Sequence, residues 1–135
     1  MESANKPSGR KTAEVQKKVL IVEDEKSLLA VLKEEFESEG FLVVTALDGQ
    51  EGLQAVDKEN PDLVLLDIAM PKMDGLTMIE ALKSKGKDIP TIILTNLDDL
   101  NHISKSVALG PFDYLIKSDW KLQEIVKRAK MKLGI

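Results

Sequence analysis

From Lys18 onward, short apolar runs alternate with segments of helical period, five times each. The runs cover residues 19–22, 41–45, 63–66, 91–94 and 114–116. Those beginning at Val19, Leu63 and Thr91 are continuous rather than alternating, the pattern of strands buried on both faces of a parallel sheet. The intervening segments carry helix signals. Leu28, Leu32 and Phe36 recur on one helical face, and Gly40 follows as a C-terminal cap. Asp48 and Glu51 have capping-box spacing at the start of the second helix. Leu122, Ile125, Val126 and Ala129 recur at i, i+3, i+4 and i+7 in the last. Five βα units joined by right-handed crossovers predict an α/β domain with an open parallel sheet covered by helices on both sides.

Residues 1–17 break this pattern. They are polar, contain Pro7, Ser8 and Gly9 in a row, and are expected to form a flexible tail ahead of one domain over 18–135. The tail carries four basic and two acidic side chains, so the whole-chain charge of −4 leaves −6 on the remaining residues. That acidity argues against direct nucleic-acid binding, which calls for a basic face. Nothing approaches the roughly 20 apolar residues of a membrane span, and the N-terminus lacks the apolar core of a signal peptide; a soluble, cytoplasmic protein is expected. The chain has no cysteine and one histidine, His102. Disulfides and thiolate sites are excluded, and zinc or Ser/His/Asp chemistry is disfavoured. Any chemistry falls to carboxylates, lysines and hydroxyls.

In open parallel sheets, ligands bind beyond the carboxyl ends of the strands. Glu23, Asp24 and Glu25 follow the first run, Asp67 the third, Thr95 the fourth and Lys117 the fifth. Each has a plain structural reading on its own. The acids could be helix caps or turn residues, Thr95 a strand-end hydroxyl, Lys117 a solvated lysine and Tyr114 a packed aromatic. Together they place carboxylates, a hydroxyl and an ammonium on one rim. Clustered carboxylates repel one another, and a hard divalent cation such as Mg²⁺ relieves that repulsion without needing His or Cys. Magnesium commonly bridges to phosphate, Lys117 and Thr95 can meet the other phosphoryl oxygens, and Asp67 is the natural carboxylate nucleophile.

Four motifs carry a resemblance: Val22-Glu23-Asp24-Glu25, the stretch from Leu65 through Asp67, Met70 and Pro71 to Asp74 and Gly75, Ile93-Leu94-Thr95, and Asp113-Tyr114-Leu115-Ile116-Lys117. In order and spacing, over residues 18–133, the chain resembles the receiver domain of two-component response regulators. The resemblance implies a flavodoxin-like doubly wound (βα)5 fold with strand order 2-1-3-4-5. It also implies that Asp67 accepts a phosphoryl group from the phosphohistidine of a histidine kinase or phosphotransfer protein. Glu23, Asp24, Asp67 and the backbone carbonyl of Ala69 would hold Mg²⁺. Thr95 and Tyr114 would be the switch pair, and Lys117 would bridge Asp67 and the phosphoryl group. The fourth helix, fifth strand and fifth helix would form the surface for a downstream protein, with the chain a monomer or a phosphorylation-dependent dimer.

Several positions depart from the family pattern. Ser118 follows Lys117 where proline is usual, Asn96 replaces a small residue after Thr95, and Pro111 replaces a common alanine. Ala69 offers no polar side chain to position a water, so slow autodephosphorylation is expected. His102 reads as a solvated helix residue and Trp120 as local packing or an anchor on the output face. The leading expectation is a receiver domain acting alone through protein contacts or onward phosphotransfer, with no turnover of a free substrate. A constitutive, non-phosphorylated interaction module of the same fold is the alternative. A haloacid-dehalogenase-like phosphatase is a third reading, disfavoured because Ala69 occupies the place of that family's second aspartate.

Overall fold

The computed structural model describes residues 16–67, 75–95, 113–117 and 121–135. Along the chain it contains β1 (Lys18–Val22), α1 (Lys26–Ser38), β2 (Leu42–Ala46), α2 (Gly49–Glu59), β3 (Leu63–Asp67), α3 (Gly75–Ser84), β4 (Thr91–Thr95), β5 (Asp113–Ile116) and the C-terminal helix α4 (Leu122–Leu133). All strand pairings are parallel and the order is 2-1-3-4-5, as the resemblance implies. The order reverses at β1, placing β1 and β3 side by side at the centre. The segment predicted as the fourth helix lies outside the described residues, as do Ala69, Asn96, His102, Pro111, Ser118, Trp120 and residues 1–15 of the predicted tail. Gln16 and Lys17, its last two residues, are tied down: Gln16 Nε2 donates to the Gly40 carbonyl at 2.8 Å, and Leu42 N donates to the Lys17 carbonyl at 2.9 Å.

The continuous apolar runs are buried on both faces, and alternate residues feed two separate cores. Val19, Ile21, Leu63, Leu65, Ile92, Leu94 and Leu115 pack under α1 and α4. Leu20, Val22, Val64, Leu66 and Ile93 pack under α2 and α3. Burying each of these aliphatic side chains contributes on the order of 1.5–3 kcal/mol, so the central strands dominate the stability. β2 is an edge strand and is correspondingly less covered, with Leu42 exposed. It starts at Leu42, not at Phe41, which instead packs its ring edge-on against Phe36 with centroids 5.3 Å apart.

Helix ends follow the local chemistry. Asp48 Oδ1 accepts from Glu51 N at 2.9 Å, half of the predicted box. The Glu51 carboxylate reaches one residue further back than expected, to Leu47 N. Gly40 adopts φ +94°, the left-handed geometry glycine takes without steric cost after a helix. In α1 the fully packed positions are Leu29, Leu32 and Phe36, while Leu28 is only partly covered at the seam.

Candidate functional site

Asp67 is the last residue of β3 and Thr95 the last of β4, each one position deeper in the sheet than the apolar runs indicate. Glu23 directly follows β1, its N–H held by the Ala46 carbonyl at 3.0 Å, and Lys117 directly follows β5. Side-chain alternation then sorts these groups. Val19 and Ile21, Leu63 and Leu65, and Leu115 all face the α1/α4 core, and the next residues of that parity are Glu23, Asp67 and Lys117. Two carboxylates and one ammonium therefore emerge on the same side of the sheet, directly beyond that core.

Lys117 Nζ donates to Asp67 Oδ2 at 3.0 Å and lies 3.2 Å from Glu23 Oε1. The second contact is an ion pair by distance only, because Glu23 Oε1 is buried with no hydrogen bond among the described residues. The other oxygen, Oε2, accepts from Glu25 N at 3.0 Å. Glu23 is 1% exposed and Asp67 5%, whereas Asp24 is open to solvent. Burial foremost, and the charge of Asp67 next, push the Glu23 carboxyl up to about 7; the Glu25 N–H and the Lys117 ammonium pull the other way. Burial of Lys117 acts to lower its pKa, but its hydrogen bond to Asp67 and the charges of Asp67 and Glu23 outweigh this and raise it.

Oxygens of Glu23, Asp24 and Asp67 all lie within 4.8 Å of one another. This set suits a hard divalent cation: all donors are carboxylates, one is exposed for entry, and a buried oxygen of Glu23 lacks a hydrogen-bond donor among the described residues. Thr95 is fully buried on the opposite side alternation, with Thr91 and Ile93, and is registered beside Ile116, which immediately precedes Lys117. Tyr114 is registered beside Ile93, two residues before Thr95, so the predicted pair sits on adjacent strands. The structure thus brings Glu23, Asp24, Asp67 and Lys117 together and leaves Thr95 on the next strand end. The direct approach of Lys117 to Glu23, and the grip of Glu25 N on Glu23, were not anticipated from sequence; the parity of residues 19, 21, 23 and 115, 117 contained the signal for the first.

Comparison with known proteins matches this geometry to a family. The family model for the response regulator receiver domain matches residues 19–130. The chain belongs to the response regulator receiver family. A probable transcriptional regulator of Guillardia theta is 42% identical over 104 residues, covering 77% of this chain and 41% of that protein. The Bacillus subtilis alkaline phosphatase synthesis transcriptional regulatory protein PhoP is 36% identical over 116 residues, covering 86% and 48%. The chain therefore spans about half the length, or less, of these curated relatives. Among solved structures, a CheY-like receiver domain protein from Methanospirillum hungatei superposes with a TM-score of 0.80 at 29% identity, covering 89% of this chain and 95% of the other. The receiver domain of a Francisella response regulator gives 0.79 at 29%, covering 88% and 98%. As a receiver domain, the chain is a signalling module of two-component systems.

Proposed function

We propose that this receiver domain is a phosphorylation-operated switch in which Asp67 takes a phosphoryl group from a histidine kinase or phosphotransfer protein. The observation that carries the reading is the Lys117–Asp67 contact at 3.0 Å within a buried carboxylate cluster. An Asp67 oxygen would attack phosphorus as the bond from phosphorus to the donor imidazole nitrogen breaks, leaving the proton balance to the departing histidine. Lys117 orients Asp67 and then meets the charge that develops on the phosphoryl oxygens. Glu23, Asp24 and Asp67, with the Ala69 carbonyl, would hold Mg²⁺, which when bound supplies charge neutralisation at the phosphoryl oxygens.

The added group carries about −1.5 to −2 charge and three strong acceptors, enough for one to three new charge-assisted bonds. Thr95 and Tyr114 are the pair through which we propose the change reaches β5, the predicted fourth helix and the C-terminal helix, where a downstream protein binds. Incubation with Mg²⁺ and acetyl phosphate, read by intact mass, tests this. One phosphoryl adduct is expected, absent in Asp67→Asn and longer-lived in the native chain than in Ala69→Asn. No adduct from acetyl phosphate or from several phosphorylated histidine kinases would instead favour the constitutive interaction module.

A further inference from the structure

Residues 1–15 precede the described residues, but the place where they leave the domain is fixed. Gln16 Nε2 donates to the Gly40 carbonyl at 2.8 Å, and the Lys17 carbonyl accepts from Leu42 N at 2.9 Å. That anchor stands next to Glu39, which lines a groove between α1 and α4. Glu35 and Glu39 form the α1 wall, Gln123, Lys127 and Lys130 the α4 wall, and buried Val126 the floor. Lys130 Nζ meets Glu39 Oε1 at 2.6 Å and joins the walls at the end nearest Gly40. One turn further in, Glu35 and Lys127 make no ion pair among the described residues, although Glu35 is half-buried. The groove measures about 270 Å³, below the roughly 300–1,000 Å³ of small-molecule sites, and suits a few side chains of a peptide segment better than a cofactor.

We infer that residues 10–15 of this chain lie extended in the groove, with Glu14 against Lys127 and Lys11 against Glu35. The segment reads Arg10-Lys11-Thr12-Ala13-Glu14-Val15, and successive side chains of an extended backbone alternate between two sides. Glu14 and Lys11 differ in parity, so the acid faces the basic wall when the base faces the acidic one. The opposite placement sets Glu14 against Glu35 and Lys11 against Lys127, and like-charge repulsion rejects it. The segment is also long enough. From Lys130 back to Gln123 the groove follows two turns of α4, about 10 Å, whereas six extended residues span up to about 20 Å and leave length for the bend at Gly40. Individual exposed ion pairs are weak, but the bond from Gln16 tethers the segment at the groove's end and holds its local concentration in roughly the millimolar range. Docking asks nothing of Asp67, and so goes beyond the switch proposed above.

Paramagnetic NMR of the full chain provides the test, because a chain without cysteine can carry a single nitroxide at Thr12→Cys. Amide signals of Gln123, Val126 and Lys127 should broaden, while those of Asp57 and Lys58 on α2, which packs on the other face of the sheet, stay sharp. Lys11→Glu should lower the occupied fraction about two- to fivefold, the range of one exposed ion pair, and adding Glu35→Lys should restore it. Raising the salt concentration should act in the same direction as Lys11→Glu. Circular dichroism confirms that the variants are folded. Signals on α4 that stay sharp, or broaden no more than those on α2, overturn the inference, as does an occupied fraction that Lys11→Glu leaves unchanged. Mixing nitroxide-bearing chains with isotope-labelled chains that lack the nitroxide identifies a rival occupant. Broadening of equal size in that mixture means that a second copy fills the groove, and it overturns the inference as well.

Discussion

At the scale of single residues, Glu23 is the least comfortable group among the described residues. Its ordinary pKa of 4.5 rises to about 7 through burial and the nearby charge of Asp67. An acid whose pKa is raised in the folded state costs no stability at low pH, where both forms are protonated, and opposes folding once the unfolded form can lose a proton that the folded form keeps. The contribution therefore declines as pH climbs from about 4.5 to about 7 and stays at its unfavourable limit above that. Without divalent metal, Glu23→Gln should become more stable relative to the native chain over this window, by on the order of 1–3 kcal/mol. Urea unfolding of both proteins at several pH values checks it; a difference that does not change with pH contradicts the assignment. Lys117 provides the opposing charge, and its raised pKa keeps it cationic throughout that range.

Among the elements, the approach of α2 to the sheet depends on one missing methyl group. A Cβ at Gly52 would lie 2.9 Å from Met78 Sδ and 3.1 Å from Val22 Cγ2, inside ordinary contact distance. Met78 is fully buried and Val22 immediately precedes Glu23, so the side chains around Gly52 have little room to yield. Gly52→Val should cost roughly 2 kcal/mol of stability through overpacking, despite replacing a glycine inside a helix. Denaturant titration measures this directly, and an unchanged midpoint would show that α2 can slide without loss. Helix-forming preference alone points the other way, since glycine is the weaker helix former.

For the molecule as a whole, the proposed Mg²⁺ site on the acidic rim would couple metal binding to folding. An ion that binds only the folded chain stabilises it by about 2.7 kcal/mol at a hundred times its dissociation constant. For a domain of this size that corresponds to a rise of roughly 10 °C in the thermal midpoint. Saturating Mg²⁺ should produce such a rise near neutral pH, with most of it lost in Asp67→Asn. The gain should shrink as pH falls below about 7, because protons then compete for Glu23. Differential scanning calorimetry with and without Mg²⁺ reads both effects, and a midpoint indifferent to the ion would remove the cation from the proposed mechanism.

Element types, core strands and the residues worth inspecting were legible in the chain because they rest on local pattern. A run such as Leu63 to Leu66 can satisfy its hydrophobicity only when covered on both faces, and an acid at its end must then stand at a sheet edge. Asp48 and Glu51 likewise announced a helix start, since a cap is made between near neighbours. Pairwise geometry was not legible. Whether Lys117 reaches Glu23 as well as Asp67 depends on strand order and register, which join residues 94 and 50 positions apart. The same holds for Leu29 taking the packed place that periodicity gave to Leu28, which depends on how α1 rolls against Phe41 and the C-terminal helix. Sequence by itself determined which faces must be buried and which chemical groups stand at the strand ends. The tertiary structure alone decided their distances, their desolvation and hence the protonation of Glu23, because those depend on what packs around each group rather than on its neighbours in the chain.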